Sequence, residues 1–137
     1  MLERLLILVG VCALGFFTYQ GYTFWQKRRI GAQAATDPLL TGVDLSRPTI
    51  VFFTTPECVA CRTVQVPAFE DLQQHINLQI IRVDAEADPQ AASRWGVFSV
   101  PTTFVLDRQG HPSSINRGVA GEPLLRQQLG KADPNWA

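Results

Sequence analysis

A chain of 137 residues with twelve basic and twelve acidic side chains is long enough for one ordinary domain and has no net charge with which to hold nucleic acid. Three cysteines are too few for a disulfide-dense scaffold, and a domain of this size does not need one. The charge is uneven: after Ile30 there are eight Lys and Arg against eleven Asp and Glu, a balance of minus three.

The chain opens on an apolar segment. Leu5 to Trp25 holds no charged residue, and its twenty-one residues at a helical rise span roughly 31 Å, close to the hydrocarbon thickness of a bilayer. Tyr19, Tyr22, Phe24 and Trp25 gather at one end like an interfacial aromatic belt, and Lys27-Arg28-Arg29 follow, a cluster suited to anionic lipid headgroups. Residues 4 to 26 are predicted to form one membrane-spanning helix within an anchor of residues 1–30, in a single-pass cell-membrane protein. A cleaved signal peptide is the rival reading, but the basic cluster stands where a cleavage region should be uncharged. Cys12 is expected to be an apolar filler or a lipid-facing thiol. The positive-inside rule points the rest of the chain towards the cytoplasm.

Residues 31–47 read as a tether, with a short turn near Asp37 to Leu40, and residues 48–137 as the domain. Pro48 to Thr54 is a continuous β-rich apolar run, the pattern of a strand buried on both faces. Cys61 to His75 follows helical spacing through Val64, Ala68, Phe69, Leu72 and Ile76, with Pro67 predicted to kink it. Leu78 to Asp84 is a second strand. Asp88 and Pro89 suit the cap and first position of a short helix that Gly96 ends. Thr102 to Leu106 is a third strand, Asp107 to Gly110 a turn, Ser113 to Arg117 a short fourth strand, and Glu122 to Leu129 a closing amphipathic helix. Trp136, beside the C-terminus, is expected to be exposed and disordered. The order β-α-β-α-β-β-α predicts an α/β fold with a mixed sheet flanked by helices. In it the first three strands are parallel neighbours and the last two form a hairpin.

The chemistry concentrates at Cys58-Val59-Ala60-Cys61. Two thiols three positions apart at a strand-to-helix turn can close a disulfide, and the helix N-terminus favours a thiolate on the first. Glu57 disfavours that charge and Arg62 favours it, which makes both candidates for tuning the pair. A zinc site needs two further ligands, and His75 and His111, the only histidines, do not supply them as a pair. No metal and no cofactor is expected.

Phe53 to Cys61, then Val83-Asp84, then Trp95-Gly96-Val97-Phe98-Ser99-Val100-Pro101-Thr102 resemble the thioredoxin family over roughly residues 40 to 130, with Pro101 forty positions after Cys61. The resemblance implies a thioredoxin-like fold and a cis peptide bond between Val100 and Pro101. It also implies that Cys58 attacks, that Cys61 resolves, and that the Val100 backbone pairs with substrate beside Pro101. Trp95 is core packing or pocket wall, with a substrate role as the sharper reading. The usual Trp-Cys-Gly-Pro-Cys pattern is altered at Glu57, Val59 and Ala60, and Phe52 stands where the family often has a buried acid. The implied function is a membrane-anchored thiol–disulfide oxidoreductase. Its partners would be protein disulfide or dithiol substrates, an electron donor or acceptor protein, and the lipid bilayer. A tethered binding or assembly module without turnover, or a Cu(I) chaperone, are the alternatives. Tethered members of the family often face outward, so the side of the membrane stays open.

Overall fold

The computed structural model describes residues 1–136, without the side chains of residues 26–34; the Lys27-Arg28-Arg29 cluster expected at headgroups lies outside the described residues. Helix α1 spans Leu2–Ala34. Its stretch Leu2–Trp25 is 24 residues long, apolar enough to cross a membrane, and unburied by the rest of the chain. A membrane span and a signal sequence both meet that description.

Four strands, β1 (Thr49–Thr54), β2 (Gln79–Asp84), β3 (Thr102–Leu106) and β4 (Pro112–Arg117), form one sheet in the order β2-β1-β3-β4. Helices α2 (Val66–Gln73), α3 (Pro89–Arg94) and α4 (Glu122–Ala132) cover it. β1 pairs parallel with β2 and antiparallel with β3, and β3 pairs antiparallel with β4. The sheet is mixed, as expected, but the first three strands are not all parallel. Connection length explains the difference. The helical segment after β1 is long enough to carry the chain back along the strand. The six residues of α3 cover only about 9 Å, less than half of a six-residue strand. β3 therefore starts at the end of the sheet where β2 finished and runs the other way.

β1 is buried throughout except at Thr54. Its alternating side chains feed two cores. Ile50 and Phe52 face Phe69 and Leu72 of α2 and Leu125 and Leu129 of α4. Val51 and Phe53 face Ala91, Trp95 and Phe104. Edge-to-face contacts tie Phe52 to Phe69 at 5.0 Å and Trp95 to Phe104 at 4.9 Å.

Two segments expected to be loose are docked. Asp37 caps the 3₁₀ turn Pro38–Leu40 by accepting from the Leu39 N–H at 3.0 Å, and its carboxylate pairs with Arg94 at 2.9 Å. Leu40, 7 % exposed, joins the second core. Burial opposes ionisation of Asp37, but the Arg94 and Leu39 hydrogen bonds outweigh it and hold the carboxyl below its ordinary range. Trp136 is likewise buried, at 7 % exposure, against the first core. Asp133 organises that end: it pairs with Arg108, accepts from Asn135 N–H and leads into the turn Pro134–Trp136. The Arg108 guanidinium lies 5.7 Å from the Trp136 ring centroid. A large apolar ring beside a core gains more from burial than a short terminus loses in freedom.

Candidate active site

Strand register brings the two sequence motifs to one end of the sheet. Phe53, near the end of β1, is paired with Thr102, the first residue of β3. The chain leaving β1 reaches Cys58 four residues after Thr54, and Pro101 immediately precedes β3. The Val100–Pro101 peptide is cis. Cys58 and Val100 pack, partly buried, against the same core that contains Cys61.

Cys58 and Cys61 are joined as a disulfide, with sulfurs 2.11 Å and Cα atoms 5.3 Å apart. The two sulfurs differ in access. Cys61 is 1 % exposed, whereas Cys58 is half-buried. The Cys61 N–H donates to Cys58 Sγ at 3.1 Å, so a helix-end donor is already aimed at the outer sulfur, where it stabilises negative charge.

The other predicted residues lie around this pair. Glu57 is exposed on the loop, and Arg62 folds back so that its Nη1 donates to the Pro56 carbonyl at 2.8 Å, bracing the loop. Val100 is partly buried and Pro101 buried. Trp95 is 2 % exposed and packs between Phe53 and Phe104, which gives it the core role of its two readings and no surface to present to a substrate. Phe52 is fully buried against Phe69 where the family often has an acid.

The helix that carries the dithiol begins irregularly. Cys61–Gln65 form a π-helical turn in which Val66 N–H donates to the Cys61 carbonyl, and α2 follows. Pro67 is the local cause. In a regular helix its ring presses on the carbonyl four residues earlier, and a widened turn relieves that contact. The expected kink at Pro67 thus takes the form of a π turn starting at Cys61.

Two residues of the site were missed from sequence. Gln65 is fully buried, and its amide makes both of its bonds to one distant residue: Nε2 donates to the Ala120 carbonyl at 3.0 Å and Oε1 accepts from the Ala120 N–H at 2.9 Å. The signal for it is spacing, since Gln65 lies four positions after Cys61, four before Phe69 and seven before Leu72; Val64, the apolar residue expected on the buried face, is half exposed. Phe98 is 91 % exposed three residues before Pro101. It borders an open groove of about 460 Å³ that runs past Val97, Val100, Thr55, Pro89 and Ala92. An apolar residue flanking a cis-proline was visible in the sequence, but its exposure was not.

The thioredoxin family model matches residues 41–130, which include both motifs. The thioredoxin-like protein YosR, derived from the SPbeta prophage of Bacillus subtilis, is 34 % identical over 74 residues, covering 54 % of this chain and 84 % of that protein. Thioredoxin 1 of Nostoc is 30 % identical over 90 residues, covering 65 % of this chain and 83 % of its own length. Among solved structures, the Fasciola hepatica thioredoxin superposes with a TM-score of 0.55 at 26 % identity, over 64 % of this chain and 82 % of that one. The chain belongs to the thioredoxin family, and the Cys58–Cys61 pair makes it a thiol–disulfide oxidoreductase.

Proposed function

We propose that the protein is a membrane-anchored oxidoreductase that exchanges its Cys58–Cys61 dithiol with disulfides of protein substrates. The observation that carries this reading is the unequal access of two bonded sulfurs at the sheet end that also bears the cis Val100–Pro101 peptide. In the reduced protein the Cys58 thiolate attacks one sulfur of a substrate disulfide. A mixed disulfide forms and one substrate thiolate leaves, taking up a proton. Deprotonated Cys61 then attacks the Cys58 sulfur, breaks the mixed disulfide and releases the second substrate thiolate, which is protonated in turn. Two electrons and two protons reach the substrate, and the Cys58–Cys61 disulfide is left for a dithiol donor to reduce.

Val100 lends its backbone to an extended substrate segment, and two exposed residues supply apolar contact, Val59 between the cysteines and Phe98 in the groove past Val100. Arg62 and Glu57 set the charge around the entry loop. The stretch Leu2–Trp25 supports the anchor, with the bilayer as its partner.

The test uses the full chain in detergent, regenerated by dithiothreitol, with insulin as the protein disulfide. Turnover is expected in the native protein and loss of it in Cys58→Ser. Cys61→Ser is expected to accumulate a mixed disulfide visible on non-reducing gels. A Cys58→Ser protein as active as the native one, or a Cys61→Ser protein that traps nothing, would overturn the reading.

A further inference from the structure

We infer that Gln65 is a positioning residue that locks the dithiol helix to the substrate loop. The inference rests on the oxidoreductase reading above and assigns a role to a side chain outside both motifs.

The link is continuous. Cys61 opens the π turn, and Gln65 closes it. The Gln65 amide is bonded at both ends to the backbone of Ala120, itself buried in the same core as Cys61. Two residues earlier, Gly118 N–H donates to the Pro101 carbonyl at 2.8 Å, from a positive φ of 108°. The segment 118–120 is therefore held at one end by the residue after the cis peptide and at the other by the helix that carries the sulfurs. Sheet pairing joins β1 to β3, and the Gly118–Pro101 bond carries the β3–β4 pairing one residue past the strands, but no strand pairing reaches the helix that carries the sulfurs. Gln65 supplies that connection.

A fully buried glutamine with donor and acceptor both used is a costly choice unless its geometry is needed. An apolar side chain of the same length would fill the space but leave the Ala120 N–H and carbonyl unpaired. The expected consequence is a displaced loop rather than altered sulfur chemistry. The defect should appear with substrates that use the loop and be absent with those that do not.

The experiment compares insulin with the small aromatic disulfide 5,5′-dithiobis(2-nitrobenzoate) on the full-length native protein, Gln65→Met and Gln65→Glu. Gln65→Met is expected to raise KM for insulin about tenfold, with kcat and the small-disulfide rate within about twofold of native, since a displaced loop weakens substrate binding equally in the ground and transition states without touching the reacting atoms. A buried carboxyl resists ionisation, and when protonated it can donate to the Ala120 carbonyl and accept from its N–H. Gln65→Glu should therefore approach the native KM as pH is lowered from 8 towards about 5.5, each value taken as a ratio to native at the same pH, while Gln65→Met stays raised throughout. A native KM in Gln65→Met, equal losses on both probes, or failure of both variants to fold would overturn the inference and leave Gln65 a stabilising residue only. Native protein inactive on both probes would instead sink the oxidoreductase reading, and this inference with it.

Discussion

A half-buried sulfur and a phenylalanine left almost wholly in solvent near the cis-proline loop set the character of this site. Phe98 contacts little of its own chain, so replacing it leaves folding untouched while removing apolar area from any docked segment. Phe98→Ser is expected to lose about 1–2 kcal/mol of substrate binding, a five- to thirtyfold rise in KM for insulin, with an unchanged melting temperature. Steady-state kinetics alongside a thermal melt checks it; equal KM values would remove Phe98 from the docking surface. Asp37, paired with Arg94 of α3, provides a pH signature. Its folded carboxyl holds its proton less readily than the ordinary value of 3.8, so the unfolded chain binds the proton first as pH falls. The stabilisation is complete above that value and is lost as pH drops through the lower folded one. Asp37→Asn is expected to melt lower than native at pH 7 and to show a weaker further loss between about pH 5 and 2. Parallel melting curves for the two proteins across that range would refute this.

Elements were legible wherever residue type and spacing agreed. The apolar run of β1, the Asp88-Pro89 start of α3 and the turn at Gly110 all specify structure within a few neighbouring residues. What escaped needed partners far along the chain. Gln65 finds Ala120 across 55 positions, and no local pattern separates a buried amide from a solvated one. The direction of β3 depended on how far six residues of α3 could travel. Docking of the Asp37–Leu40 turn depended on Arg94 and on room made by Gly110. Gly110 has a φ of +81°, and a Cβ there would stand 3.2 Å from both Leu40 and Leu45. Gly110→Ala is expected to cost about 1–2 kcal/mol from the left-handed backbone alone. The melting temperature should fall by about 4–8 °C per kcal/mol, with faster amide exchange at Leu40. An unchanged melt and unchanged exchange would show that this contact holds nothing in place.

At the scale of the whole molecule, the apolar stretch of α1 stands apart from the redox domain. Among the described residues none before Asp37 is buried, and Leu2–Trp25 places no buried side chain in either core. A fragment starting at residue 35 is expected to fold, stay in solution and reduce insulin with the kcat/KM of the full chain, while the full chain stays in the membrane pellet after alkaline carbonate extraction. A full chain released by carbonate would exclude the anchor, and an unfolded fragment would show that α1 carries part of the fold. The chemistry of the whole could be read from two cysteines and a proline because few other residue types serve thiol exchange. The side that the domain of an anchored chain would face could not, because charge near the helix and the habits of the family point in opposite directions.

The docked turn also shortens the leash. A free tether of seventeen residues would let the domain wander over on the order of 20–25 Å. Here only Ala35 and Thr36 separate the end of α1 at Ala34 from the anchored Asp37, at most about 11 Å of chain. Were Leu2–Trp25 set in a bilayer, so short a link would keep the disulfide near the lipid rather than in the surrounding fluid. Its customers would then be met by lateral diffusion, which would favour proteins in the same sheet of membrane over those that merely share the compartment.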